Sequence, residues 1–109
     1  MSRAFVYAAL ISLASVAPAA AQGDAAHGAK VYAAQKCSIC HSIAGKGNAK
    51  GPLDGIAGKL SADDLRAWIV DAVGQTAKTK APRKPPMKNY VLPKEDLEAL
   101  VAYLSSLKK

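Results

Sequence analysis

Two cysteines three positions apart, followed at once by a histidine, constrain this chain more than any other feature: Cys37-Ser38-Ile39-Cys40-His41. At that spacing two thiols can add to the two vinyl groups on one edge of a porphyrin while the adjoining imidazole reaches the iron, so the motif points to covalently held haem. Three other readings use the same residues. A thioredoxin-like redox dithiol wants a strand-helix-strand context, which the flanking residues do not offer. A zinc site needs four ligands, and beyond its carboxylates the chain has Cys37, Cys40, His41 and the remote His27. A disulfide between Cys37 and Cys40, the two cysteines of the chain, is the plainest alternative for an exported protein.

Export is itself a reading of the first residues. Arg3 precedes a mostly apolar run from Ala4 to Ala17, Pro18 breaks it, and Ala19-Ala20-Ala21 supplies the small residues of a cleavage site. Residues 1–21 are therefore expected to be a cleaved signal peptide and residues 22–109 the mature domain. The alternative, a retained anchor, falls short of the roughly 20 apolar residues a spanning helix needs, and Ser12 and Ser15 interrupt it. Export together with the motif indicates a bacterial periplasm. An Arg-rich amphipathic transit peptide, which would suggest a mitochondrion, is not what stands here.

The mature segment is short, with one Trp, three Tyr and no Phe. Chains of this size usually need a staple, and a covalently held haem would supply a large apolar body for a few helices to pack around. Without it, the sequence predicts a marginally stable or unfolded chain.

Helical periodicity occurs in three places, and no segment shows convincing strand alternation. The first helix is expected from about Asp24, a natural N-cap, to Lys36, with Gly28, Val31 and Tyr32 on neighbouring turns. A second starts at Ser61, where Ser61-Ala62-Asp63-Asp64 reads as a capping box with Asp in place of Glu, and continues to about Val73 with Leu65, Trp68, Ile69 and Ala72 on its apolar face. The third has Pro93 near its first turn, Glu95 and Asp96 at its positive end, and a stripe of Leu97, Leu100, Val101, Leu104 and Leu107 that must close over the first helix.

Between them, residues 42–60 are rich in Gly and Lys, and residues 74–92 carry Pro82, Pro85, Pro86 and five basic residues. The prolines mark the latter as a stiff irregular segment. Met87 sits inside it and is the one methionine after residue 21. A lone methionine is ordinarily a core filler, but an iron held by histidine on one side needs a second ligand or an open face, and a thioether beside Pro85-Pro86 suits that position. His27 is the competing sixth ligand. It lies ten residues before Cys37, on a helix expected to point it away from the iron.

Taken together, residues 22–109 resemble a short class I monohaem cytochrome c. The pattern is carried in order by Gly28 and Tyr32, Cys37 to His41, Gly51-Pro52, Met87, and Leu100, Tyr103 and Leu104. The resemblance implies an all-α haem cup with three main helices, in which the N- and C-terminal helices cross at Gly28 and Tyr103 packs over the contact. It implies one haem c bound by thioethers from Cys37 and Cys40, with iron between His41 and Met87. It gives the Pro52 carbonyl a hydrogen bond from the proximal imidazole, which would fix the tautomer of His41, and lets the Trp68 indole reach a haem propionate.

Iron ligated on both sides supports one-electron transfer and not substrate activation. The expected function is a periplasmic, monomeric electron carrier between a dehydrogenase or cytochrome complex and an oxidase or reductase. A haem protein with a labile sixth site, acting in gas sensing or as a weak peroxidase, is the alternative. The formal charge of +7 invites nucleic acid, but no such motif is present and the compartment is wrong. Lys46, Lys50, Lys84 and Lys88 are instead expected around the haem edge, where they would suit the acidic docking face of a redox partner.

Overall fold

A computed structural model describes residues 24–109; the signal peptide expected over residues 1–21 lies outside them. The described chain is helical, with α1 at Ala25–Ala34, α2 at Ala62–Val70, α3 at Ala72–Thr79 and α4 at Lys94–Ser105. Short 3-10 turns occupy Cys37–Ile39 and Ile56–Gly58, and two-residue strands β1 (Ser42–Ile43) and β2 (Lys46–Gly47) form a small hairpin. The all-α architecture expected from the sequence is thus present.

Helix α1 begins where the Asp24 side chain accepts the His27 N–H at 3.1 Å, satisfying one of the four donors a helix start leaves open. It buries Gly28, Val31 and Tyr32 against Ala99, Leu100, Val101 and Leu104 of α4. The two helices approach at Gly28: a Cβ built there would fall against the Ala99 carbonyl and lie 2.6 Å from Tyr103 Cβ. Tyr103 then meets Tyr32 edge to face, with ring centroids 5.8 Å apart and planes at 62°, a favoured aromatic arrangement. Outside the crossing, His27 Nε2 and Asp96 Oδ1 stand 2.8 Å apart.

The Ser61 capping box forms as read: Ser61 Oγ accepts the Asp64 N–H at 3.1 Å and Asp64 Oδ2 accepts the Ser61 N–H at 3.3 Å. Helix α2 buries Leu65 and Ile69 and is tied to α4 by Arg66, whose Nε and Nη2 donate to the two oxygens of Glu98 at 3.0 and 2.8 Å. Such a two-pronged pair fixes orientation more than it adds stability at a half-exposed site.

Two expectations need correction here. Helix α2 ends at Val70 and not near Val73, and residues 74–79, read as irregular, belong to α3. Asp71 is the reason for both. Its N–H caps the end of α2 by donating to Ala67 O at 2.8 Å, while its carboxylate accepts the Gly74 N–H at 3.1 Å and its carbonyl the Gln75 N–H at 3.0 Å. One residue therefore closes one helix and opens the next. Prolines begin to govern the chain only at Pro82, beyond the Lys80 cap of α3, where φ is 56°.

Because the α1–α4 crossing has no room for a side chain, Gly28→Val should lower unfolding free energy by about 1–3 kcal/mol through overpacking. Chemical denaturation of the two proteins checks this, and a variant as stable as the parent would show that the crossing does not depend on Gly28.

Candidate haem site

The motif Cys37–His41 forms a single tight turn directly after α1. Lys36 enters it with φ of 57°, and the His41 N–H and Cys40 N–H both return to Cys37 O at 2.9 and 3.1 Å. Both thiols are free, Cys37 half-buried and Cys40 exposed, so no disulfide joins them. Burial pushes the Cys37 thiol up, with Cys40 nearby adding to the shift and its own backbone hydrogen bond opposing it. The reactive thiol of a redox dithiol has a lowered pKa, and Cys37 is shifted the opposite way. Among the described residues no group of three or more His, Cys, Asp or Glu side chains is gathered to hold a metal ion, which a zinc module would require.

Cys37, Cys40 and His41 open onto a cavity of about 700 Å³, within the range of small-molecule and cofactor sites. Much of its wall is core: Leu65 and Ile69 from α2 and Leu100 and Leu104 from α4 line it while being almost wholly buried. The segment after α3 contributes Pro85, Pro86, Met87 and Tyr90. Trp68 also lines the cavity, half-buried on α2. His27, held by Asp96 on the α1–α4 exterior, does not.

The imidazole of His41 is braced from behind. Nδ1 lies 3.0 Å from a backbone carbonyl, which it meets as an N–H donor, leaving Nε2 as the ring's lone-pair donor. Burial holds the His41 pKa below its ordinary value; the hydrogen bond opposes this and the charge of Arg83 reinforces it. A neutral imidazole is the form a metal takes.

The carbonyl in question belongs to Gly51, not to Pro52 as the sequence pattern implied. The backbone at 51–53 runs extended beside Ser42, with Ser42 N–H donating to Gly51 O at 3.0 Å and Leu53 N–H to Ser42 O at 2.8 Å. Carbonyls alternate in direction along such a segment, so only one of two neighbours can face residues 41 and 42. Here it is Gly51.

Two features of the site went unread in the sequence. Asn48 pins the Gly- and Lys-rich loop to the motif, its Nδ2 donating to Ile39 O at 3.1 Å. Asn89 accepts the Val73 N–H at 2.9 Å, and Tyr90 N–H donates to Ile69 O at 2.8 Å, so the segment carrying Met87 is docked on α2 and α3 by the residues just after it. Both depend on contacts between segments, for which local patterning has no signal. Of the four lysines expected at the rim, Lys88 lines the cavity and lies 5.0 Å over the Tyr90 ring; Lys46, Lys50 and Lys84 are exposed.

The residues fit a haem. The cavity is apolar over most of its wall, two thiols and an imidazole enter it from one turn and a thioether from another segment, and the buried Tyr32 hydroxyl beside it lacks a hydrogen-bond partner among the described residues.

Comparison with known proteins agrees with this geometry. The Cytochrome c family model matches residues 25–108. Cytochrome c oxidase subunit 2 of Alkalihalophilus pseudofirmus is 38% identical over 90 residues, an alignment covering 74% of this chain and 25% of that protein. The chain thus spans a quarter of the length of this curated relative. No solved structure matches.

The Tyr32 phenol is pushed from 10.0 up to about 12, mainly by burial, with Cys37, Tyr103 and Asp54 adding to the shift. A group whose pKa is higher folded than unfolded keeps its contribution below the unfolded value and loses it as pH rises through the folded one. Stability should therefore carry a Tyr32-dependent decline between pH 10.0 and about 12. Tyr32→Phe should flatten that decline. Denaturation midpoints measured across this range would contradict the assignment if the two proteins declined in parallel.

Proposed function

The chain belongs to the cytochrome c family, and from that premise we propose that it is an exported, monomeric one-electron carrier holding a single haem between His41 and Met87. Family membership supports haem-based electron transfer as such; the ligand pair and the carrier role rest on the site. The observation that carries the reading is the cavity reached at once by the Cys37–His41 turn and by Met87.

In this arrangement Cys37 and Cys40 would form thioethers with the haem vinyl groups, each S–H adding across one double bond, and His41 Nε2 would bind iron. The bound haem supplies the reversible ferric–ferrous couple. Everything else falls to the protein. The Gly51 carbonyl keeps the His41 tautomer fixed, and Leu65, Ile69, Leu100 and Leu104 exclude water. The Met87 sulfur, a soft donor that favours the ferrous state, would raise the potential. With His41 and Met87 both bound to iron no coordination site would be left for substrate, and the protein would carry electrons and not act as an enzyme.

The turn carrying the cysteines also faces solvent: Cys40 is exposed and Ile39 is 66% exposed between the two thiols. Electrons would pass there, in a bacterial periplasm, to and from redox proteins whose docking faces are acidic. Exposed Lys46 and Lys50 lie on the loop bonded to this turn, and their charge suits such a partner by speeding encounter more than by tightening the complex.

Met87→Ala separates this reading from a haem protein with a labile sixth site. The oxidised parent should show the weak near-red sulfur-to-iron band; the variant should lose it, drop in potential and bind added cyanide or imidazole readily. His27→Ala should leave all three unchanged. A parent without the band that already takes up exogenous ligand would overturn the ligand pair and favour the labile site.

A further inference from the structure

The motif and the carbonyl that braces His41 are joined through one residue, Asn48. Its N–H is shared between Ser38 O at 3.1 Å and His41 O at 3.0 Å, and its own carbonyl accepts the Gly51 N–H at 3.1 Å. Its side chain works in both directions: Nδ2 donates to Ile39 O at 3.1 Å, and Oδ1 accepts the Lys50 N–H at 3.0 Å. From the His41 carbonyl the hydrogen bonds run to the Asn48 peptide, on to Gly51, and from Gly51 O back to His41 Nδ1. The circuit closes on the residue where it began.

Gly47 makes the approach possible. Its φ is 111°, in the region that favours glycine, and a Cβ there would fall against the His41 carbonyl and 3.1 Å from Ser38 O. The loop therefore sits flush on the motif, and Asn48 is the side chain that holds it in that register.

We infer that Asn48 is a positioning residue for His41, setting through the Gly51 carbonyl the orientation and donor strength of the imidazole that binds the haem iron. This rests on the proposed ligation by His41. The physical link is the Nδ1–H bond: a carbonyl held against it raises the basicity of the ligand, which favours the ferric state. Freeing Ile39 O and the Lys50 N–H loosens the loop that presents Gly51, weakens that bond, and shifts the couple toward ferrous iron.

The test compares Asn48→Ala with Asp24→Ala in the haem-loaded protein. Asp24→Ala removes the cap of α1, costing global stability with no route to His41. Two quantities are read: solvent exchange of the haem-shifted His41 Nδ1 proton by NMR, and the reduction potential. Asn48→Ala should accelerate exchange about fivefold, the effect on an opening equilibrium of losing one hydrogen bond worth about 1 kcal/mol, and raise the potential while the sulfur-to-iron band persists. Asp24→Ala should change neither. Asn48→Ser, which keeps an oxygen for Lys50 and loses the Ile39 bond, should fall between and serves if the alanine variant does not retain haem. Equal exchange and potential in parent and Asn48 variants would overturn the inference and leave Asn48 a purely structural loop residue. Absence of any haem-shifted His41 ring proton in the parent would instead overturn the ligation on which it rests.

Discussion

The residues that pack the helices together are also the wall of the cavity. Tyr32 of α1, Leu65 and Ile69 of α2, and Leu100 and Leu104 of α4 belong to the buried cluster and line the cavity at the same time, and among the described residues no large side chain is less than 2% exposed. A protein interior gains its stability from apolar surface removed from water and packed densely. Here the inner faces of three helices complete that packing only against something that fills about 700 Å³. On the proposed reading the haem is a part of the core, and thioethers from Cys37 and Cys40 would keep that part from leaving.

The two sides of the site are braced differently. On the His41 side the hydrogen bonds are dense and local, running among residues 37–53, so the imidazole is held by its own stretch of chain. On the Met87 side the bracing is tertiary: Asn89 caps α3 through the Val73 N–H, and Tyr90 N–H reaches Ile69 O. Helix α3 thereby has a role in the site although it contributes little to the cavity wall. It gives the proline-stiffened segment a fixed place to end, two residues beyond the proposed ligand. An irregular segment pinned immediately after Met87 would keep the proposed ligand in place through each change of iron charge without a regular element around it.

Much of this was legible in the sequence because the signals are local. The spacing of Cys37, Cys40 and His41, the Asp24 and Ser61 caps and the stripe of α4 each depend on residues within a turn or two of one another, and the three helices they predicted are present; the close approach at Gly28, a contact with Ala99 and Tyr103, came instead from the family resemblance. Helix α3 was not legible. It has eight residues and a single buried one, Ala72, so it carries no stripe to read, and its start depends on Asp71 doing two jobs and on Asn89 arriving from another segment. The Gly51 carbonyl was misassigned by one residue for a related reason. Direction in an extended segment is set by its pairing with Ser42, and Gly51-Pro52 alone does not reveal which carbonyl faces inward.

The central claim, that this small domain is completed by one covalently attached haem, is tested most directly by the intact mass of the full-length chain expressed in a host with haem-attachment machinery. After denaturation and acid extraction, which remove haem that is not covalently bound, the predicted mass is that of the processed polypeptide plus one haem, and Cys37→Ala with Cys40→Ala together should return the bare polypeptide. A parent protein whose mass is that of the bare polypeptide, or that surrenders its haem to the extraction, would contradict the account.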